Sequence, residues 1–391
     1  MRRFEVGERR ARLARRHHLA PPHRVGGVLD AADGVVCLHA TDPATVYLAA
    51  RARVDGLTVV DVDKALYADR SLVKHLCMRR TLFVLRRELF GVVQAAASAR
   101  VAEQERRRLA RDVERAGLVD DGEGWLRTAE AATLDALDRL GEATSTELRD
   151  AVPLLQGSTL YAPHKPWGGE VPVGPRVLTC LSAAGEIVRA SNRGGWHVSR
   201  PAWARTATWL GERPAVAPRR AAMADLARRW LRAFGPATVD DLKWWTGSTV
   251  TAVRAALADV GAVEVDLHGE PGVALADDLE PEPPTEPWAA LLPGLDPTTM
   301  GWSRREWYLG PHRSEIFDGN GNGGMTAWWD GRIVGGWNQR PDGQVYLQLL
   351  EDVGAEGREA LDREAERLTA WLAGLRVAPR FPSPLSRATT A

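Results

Sequence analysis

The stretch Leu38-His39-Ala40-Thr41-Asp42-Pro43 sets an imidazole, a hydroxyl and a carboxylate close together in the chain. A neutral His39 can accept a proton from water, and its ring titrates in the range where that matters. Thr41 can hold the same water through its hydroxyl, with less electrostatic help than a carboxylate would give. Asp42 adds a charge one position on, although its place before Pro43 equally suits it to cap a helix starting there. The plainer alternative for His39, which stands between two apolar residues, is a packed structural histidine.

Other chemistry-bearing groups are sparser. The cluster Asp318-Gly319-Asn320-Gly321-Asn322-Gly323-Gly324 lacks the lysine and following helix of a phosphate loop and reads as a flexible hairpin tip. The same geometry would let Asn320 and Asn322 reach a DNA groove. Trp244-Trp245 reads as core packing, with base stacking the functional alternative. Cys37, Cys77 and Cys180 lack metal-ligand spacing and an even disulfide framework, which predicts reduced, buried thiols. His17, His18 and His23 beside Pro21-Pro22 have no acidic or thiol partners nearby and read as a surface loop rather than a metal site. No nucleophile-elbow or paired-histidine metal motif is present, and neither metal nor cofactor is expected.

The elements that would carry these residues fall into a unit repeated three times: a short capped helix, a second helix, then two short strands. In the clearest copy Thr238, Asp240 and Asp241 open a helix through Leu242, Trp244 and Trp245. Thr246-Gly247-Ser248 breaks it, and Val250, Val253, Leu257 and Val260 form a second apolar stripe. Gly261 ends that helix, and Val263–Leu267 alternates as a strand. This order predicts a helix-turn-helix with a strand wing, and in this copy Arg254 projects from the polar side of the helix that would meet DNA. In the second copy Thr144-Ser145-Thr146-Glu147 caps a helix through Leu148 and Val152. A stretch from Val177 through Ile187-Val188 reads as helix, and Gly194–Val198 as a turn into a strand pair. In the first copy Val60-Asp61-Val62-Asp63 opens a helix through Leu66, Ser71–Leu76 reads as the second helix, and Thr81–Leu85 as the strand.

A chain of 391 residues, 45% apolar and 26% charged, should fold into two or more globular units. No apolar run approaches a membrane span and no hydrophobic signal core opens the sequence, so a cytoplasmic, nucleoid-associated protein is expected. The net charge is zero, but it is distributed as a gradient. Lys and Arg against Asp and Glu give 21 minus 12, or +9, over residues 1–110; 19 minus 18, or +1, over 111–260; and 11 minus 21, or −10, over 261–391. An arginine-rich first third suits a local duplex-binding face, Arg79 and Arg80 included. Solvated helix faces are the plain alternative for Arg9 to Arg16 and Arg106 to Arg108.

The acidic, proline-rich Asp277–Pro284 cannot pack as a helix and predicts a linker. Beyond it, Thr326–Trp329 and Arg332–Trp337 around Asp330-Gly331 predict a hairpin, and Val345–Leu347 a further strand. Glu356 to Leu375 predicts an amphipathic helix on a small barrel-like sheet, followed by a loose tail after Pro379. The expected architecture is α+β, mainly α: three tandem winged helix-turn-helix units plus a C-terminal β-barrel-like element with a helix. The boundaries are 1–115, 116–212, 213–280 and 281–391.

Taken together, Leu38–Pro43 with a helix ending Ala49-Ala50-Arg51, Met78-Arg79-Arg80-Thr81-Leu82, Gly235-Pro236-Ala237-Thr238 with Asp241 and Trp245, Leu291–Asp296 and Asp330–Trp337 resemble the bacterial winged-helix DNA glycosylases of the AlkZ and YcaQ type. The resemblance runs roughly from Arg24 to Leu375. It implies three winged helices curved around duplex DNA and joined to a C-terminal β-barrel element; the residues expected on the DNA are Arg51, Arg79, Arg80, Thr81, Arg254, Asn320 and Asn322. It further implies a monomer acting without metal or cofactor on alkylated or crosslinked DNA, where N-alkylation makes the purine a cationic leaving group. In that family a glutamine-x-glutamine or glutamine-x-aspartate motif carries catalysis. His39 and Thr41 occupy those positions here, with Asp42 following, and this departure keeps open a non-catalytic DNA-binding regulator or lesion sensor.

Overall fold

Three threonines fix where three helices begin. Thr58, Thr144 and Thr238 each accept a hydrogen bond from the backbone three residues on, and Asp61, Glu147 and Asp241 each reach back to the capping backbone N–H. These reciprocal bonds satisfy donors that the first helical turn leaves orphaned. Asp241 does a second task. It is fully buried, and its other carboxylate oxygen accepts the backbone N–H groups of Ser303 and Arg304, each at 2.8 Å. One side chain therefore starts a helix and fastens it to the C-terminal region.

The computed structural model describes residues 1–161 and 168–387. The chain is a mixed α/β protein in which one element order recurs three times: helix, short strand, two helices, two strands. The first copy uses helices Val28–Gly34, Pro43–Arg51 and Val59–Asp63, the last running on as a π-helical turn Lys64–Ala68. Its strands are Leu38–His39, Leu72–Leu76 and Leu82–Arg86. The second uses helices Gly122–Leu140, Ser145–Ala151 and Val173–Ala183 with strands Glu142–Thr144, Ile187–Asn192 and Pro201–Arg205. The third uses helices Arg219–Phe234, Val239–Thr246 and Val250–Asp259 with strands Ala262–Leu267 and Glu270–Leu275. In every copy the segment before the second helix pairs with the last strand; in the third copy it is reduced to the single bridge Ala237–Val273. Lys74 opposite Arg189 joins the first two hairpins into one six-stranded sheet.

One helix expected from sequence, and the end of a second, are strands; the rest of that second helix forms as Val173–Ala183. Ser71–Leu76 pairs with Leu82–Arg86 and touches the second copy's sheet through Lys74. Leu72, Val73 and His75 are all buried, so both of its faces are covered and its burial does not alternate as in a half-exposed strand. Ile187-Val188 likewise belongs to a strand, because Gly185, in the left-handed region at φ 77°, ends the preceding helix. Gly194–Val198 lies in the loop between the two strands of the second copy rather than in a strand pair.

The Asp277–Pro284 segment is extended but not free. Asp278 holds both Arg12 (3.0 Å) and Arg16 (2.7 Å), Arg15 pairs with Glu282 (3.0 Å), and Arg12 also donates to the Glu280 carbonyl. Part of the N-terminal positive charge is thus spent internally, on the helix Val6–Arg16, rather than left solvated. Arg2–Arg3 pairs in parallel with Ala262–Leu267, so the chain's start packs with the third copy. His17, expected in a surface loop, is fully buried, 2.8 Å from the Thr298 hydroxyl.

In the C-terminal region Ala289–Leu292, Thr326–Trp329, Arg332–Gln339 and Val345–Leu349 form an antiparallel sheet in that order. It is open, with its first and last strands as edges, so the barrel-like closure expected from sequence is not what forms. The helix Gly354–Leu372 lays Leu361, Leu368 and Leu372 on it. The tail is docked as far as it is described. Pro384–Arg387 is helical and Ser383 and Ser386 are buried; the remaining residues, 388–391, lie outside the described residues.

Candidate functional site

His39 ends the edge strand Leu38–His39, paired with Phe83 in the neighbouring strand and stacked edge-on to its ring at 5.1 Å. Only 5% of it is exposed. Burial, with the nearby charge of Arg79 adding to it, drives the imidazole pKa down to about 3, so the ring is neutral throughout the physiological range. Nδ1 accepts the backbone N–H of Thr41 at 3.4 Å, which leaves the ring proton on Nε2. Among the described residues Nε2 has no hydrogen-bond partner. The free group of His39 is therefore a neutral N–H donor. This differs from the proton acceptor read from sequence, because the Thr41 N–H already occupies the ring's acceptor nitrogen.

Asp42 is the N-cap of Pro43–Arg51. Its Oδ1 accepts Ala44 N–H at 3.2 Å and its Oδ2 accepts Arg380 N–H at 2.9 Å, while the Arg380 guanidinium donates to the Thr41 carbonyl at 3.1 Å. Burial pushes the Asp42 carboxyl up, against the pull of those N–H groups. Capping, the plainer of the two sequence readings, accounts for the Ala44 bond, and the bond from Arg380 ties the cap to the C-terminal segment. Thr41 is half-buried and meets His39 through its backbone N–H.

The residues expected on DNA separate into free and engaged groups. Arg254 is exposed and makes no ion pair among the described residues. Arg80 is half-exposed and meets Glu105 at 3.4 Å, an exposed pairing of little energy. Arg79 is mostly buried, its guanidinium 3.9 Å from the centre of the Trp244 ring; Thr81 closes the same turn. Arg51 is engaged instead: it lies 3.6 Å from Glu364, a buried carboxylate that also takes Arg24 (3.3 Å) and Arg367 (2.7 Å). Asn322 bonds Asp318 through both its backbone and side chain at 2.9 Å, and the Asn320 backbone N–H adds a third bond. Against some burial, these bonds hold the Asp318 carboxyl below its usual range and fold the glycine-rich loop. Asn320 alone of the pair presents an exposed side chain.

Three residues at this site have no local signal in the sequence. Arg100, Arg305 and Arg380 arrive from distant segments, and only the folded chain brings them to the turn around Arg79 or the loop around Thr41. Trp244, half-buried under Arg79 and Arg305, is more than the core residue its sequence context suggested.

The sequence model of the AlkZ-like DNA glycosylases matches residues 32–371. No curated protein sequence matches the chain. Among solved structures, Streptomyces sahachiroi DNA glycosylase AlkZ superposes with a TM-score of 0.73 over 96% of this chain and 99% of its own, at 21% sequence identity.

Proposed function

The chain belongs to the AlkZ-like DNA glycosylase family, and from that premise we propose that it binds duplex DNA through its three repeats, acting as winged helices, and hydrolyses the N-glycosidic bond of alkylated purines. Bulky adducts and interstrand crosslinks fall within the same substrate class. In this reading the protein is a nucleoid-associated monomer that needs neither metal nor cofactor, serving DNA repair or self-resistance to a genotoxin. The observation that carries the proposal is His39, whose Nε2–H is the unengaged end of a ring otherwise locked by Thr41 and Phe83.

An N-alkylated purine is already cationic, so the C1′–N bond breaks with its electron pair going to the base, and little acid assistance is needed. The protein's task is to place a water at C1′ as an oxocarbenium-like centre develops. We assign His39 Nε2–H as donor to that water's oxygen and the Thr41 hydroxyl as acceptor of one of its protons. The water's remaining lone pair attacks C1′, and its proton leaves toward Thr41 and solvent. Arg80, Arg254 and Asn320, with Arg79 and Thr81 at the hairpin turn, are the proposed DNA contacts. Arg51, held by Glu364, and Asn322, held by Asp318, are better explained as structural.

Formation of abasic sites on duplex DNA carrying N7-methylguanine, measured in single turnover, tests this reading. Binding of that duplex without excision would support a non-catalytic lesion sensor instead.

A further inference from the structure

Three arginines from separate parts of the chain meet at Trp244 and Gly247. Arg79 comes from the hairpin turn of the first repeat and Arg305 from the segment before the short helix Glu306–Leu309; their guanidinium carbons lie 3.9 Å and 5.2 Å from the Trp244 ring centre. Arg100, from the helix Ala99–Arg115, donates to the Gly247 carbonyl. The approach is tight: a Cβ on Gly247 would stand 2.9 Å from Arg79 Cγ. Arg79 and Arg80 both occupy the left-handed region, at φ 54° and 60°, a conformation that surrounding structure must impose on such residues.

No carboxylate pairs directly with these charges among the described residues, although Glu306 and Asp241 act on Arg305 from a distance. Among the described residues none of the three forms an ion pair, and Arg79 makes no hydrogen bond. Arg305, 4% exposed, uses one nitrogen on the Trp302 carbonyl. The Nε atoms of Arg79, Arg100 and Arg305 are all buried without a partner. The fully buried Arg12 and Arg53 are paired, with Asp278 and Asp296; Arg9 and Arg189 lie singly over the Trp307 and Trp203 rings without an ion pair among the described residues, and only around Trp244 do three such arginines meet. Burying like charges together without a counter-ion is costly unless an anion completes the site. Burial, reinforced by Arg305, already pulls the Arg79 guanidinium down to about 10. Guanidinium forks over an indole face match the planar, bidentate recognition of a phosphate. The site adjoins the proposed catalytic strand, since the Arg79 charge acts on the His39 ring.

We propose that Arg79, Arg305 and Arg100, organised by Trp244, form a clamp for a single backbone phosphodiester of duplex DNA beside the nucleotide presented to His39. The inference rests on duplex DNA being the ligand, as argued above, but does not depend on excision.

The test is a methylphosphonate scan, in which each phosphate of an undamaged duplex and of one carrying an abasic-site analogue is neutralised in turn and binding to the full chain is measured. Neutralising one phosphate should weaken wild-type binding about tenfold or more, the scale of a lost charge-assisted hydrogen bond. Arg305→Gln and Arg79→Gln should bind the unmodified duplex correspondingly less well and lose the penalty at that same phosphate. Removing one of several like charges should also leave thermal stability of the free protein unchanged or raised. Inorganic phosphate at constant ionic strength should stabilise the wild type more than either variant. A penalty pattern identical in wild type and variants, or variants that lose thermal stability while Arg305→Lys restores it without ligand, would overturn the clamp and make these arginines structural. Absence of excision on alkylated duplexes alongside the expected scan would sink the glycosylase reading and leave the clamp standing.

Discussion

Asp42 and Arg380, 338 positions apart, are joined by a 2.9 Å hydrogen bond from the Arg380 backbone to the carboxylate that caps Pro43–Arg51. The loop carrying His39 and Thr41 is therefore braced by the end of the chain. Replacing Asp42 with Ala should cost about 1–2 kcal/mol through the lost cap and expose residues 380–387 to protease. Urea unfolding and limited proteolysis check this. A tail equally resistant in the variant would show that its docking rests on Ser383, Ser386 and the apolar contacts alone.

Arg53 and Asp296 form a fully buried bidentate pair at 2.8 and 2.9 Å, with Arg53 also donating to Thr298. It fastens the first repeat to the C-terminal region. Asp296→Ala strands a buried guanidinium and should cost about 3–5 kcal/mol, measured as a shift in the denaturant midpoint. A cost below about 1 kcal/mol would mean that water reaches Arg53 once the carboxylate is gone.

Acid should weaken the fold through its buried histidines. His39 and His75 are both held at about 3 by burial, against about 6.5 when exposed. Their folded pKa is depressed, so the folded state takes up fewer protons than the unfolded one below pH 6.5. Their contribution is therefore fully present above about 6.5 and lost as pH falls toward 3, at roughly 2 kcal/mol per histidine by pH 5. His75→Leu should flatten the stability profile between pH 6.5 and 5. An unchanged slope would place the titration elsewhere.

In the third repeat Val253 and Leu257 are buried while Arg254 on the same helix is exposed. Truncating either apolar residue to Ala should cost roughly 1–5 kcal/mol. Arg254→Ala should leave stability within about 0.5 kcal/mol and lower the salt dependence of duplex binding by about one unit. Equal DNA affinity and salt slope in Arg254→Ala would remove this helix from the interface.

The third repeat was legible because its signals are local. Thr238 with Asp241, the Gly247 break and the 250–260 stripe act within a few residues of one another, and each did what its chemistry predicts. Leu72–Leu76 was misread because its fate depends on partners at Leu82–Arg86 and Arg189, and Leu-Val-Lys-His-Leu fits a helical stripe as readily as a doubly covered strand. The His39 segment could be found, but the state of its ring could not. A pKa near 3 and a bond from Thr41 N–H follow from burial that only the assembled sheet creates. The arginine cluster was half visible: Arg79 stood out, whereas Arg100 and Arg305 carry no mark of the indole they share.

The most direct measurement is single-turnover excision of N7-methylguanine from duplex DNA by wild type and His39→Ala across pH 5 to 8. A neutral, hydrogen-bond-donating His39 predicts a wild-type rate with no imidazole step near pH 6.5, and a loss of about 10²–10⁴-fold in His39→Ala with DNA affinity nearly unchanged. Full activity in His39→Ala, or a wild-type rate that falls through pH 6.5 on acidification, would contradict the role assigned to this residue.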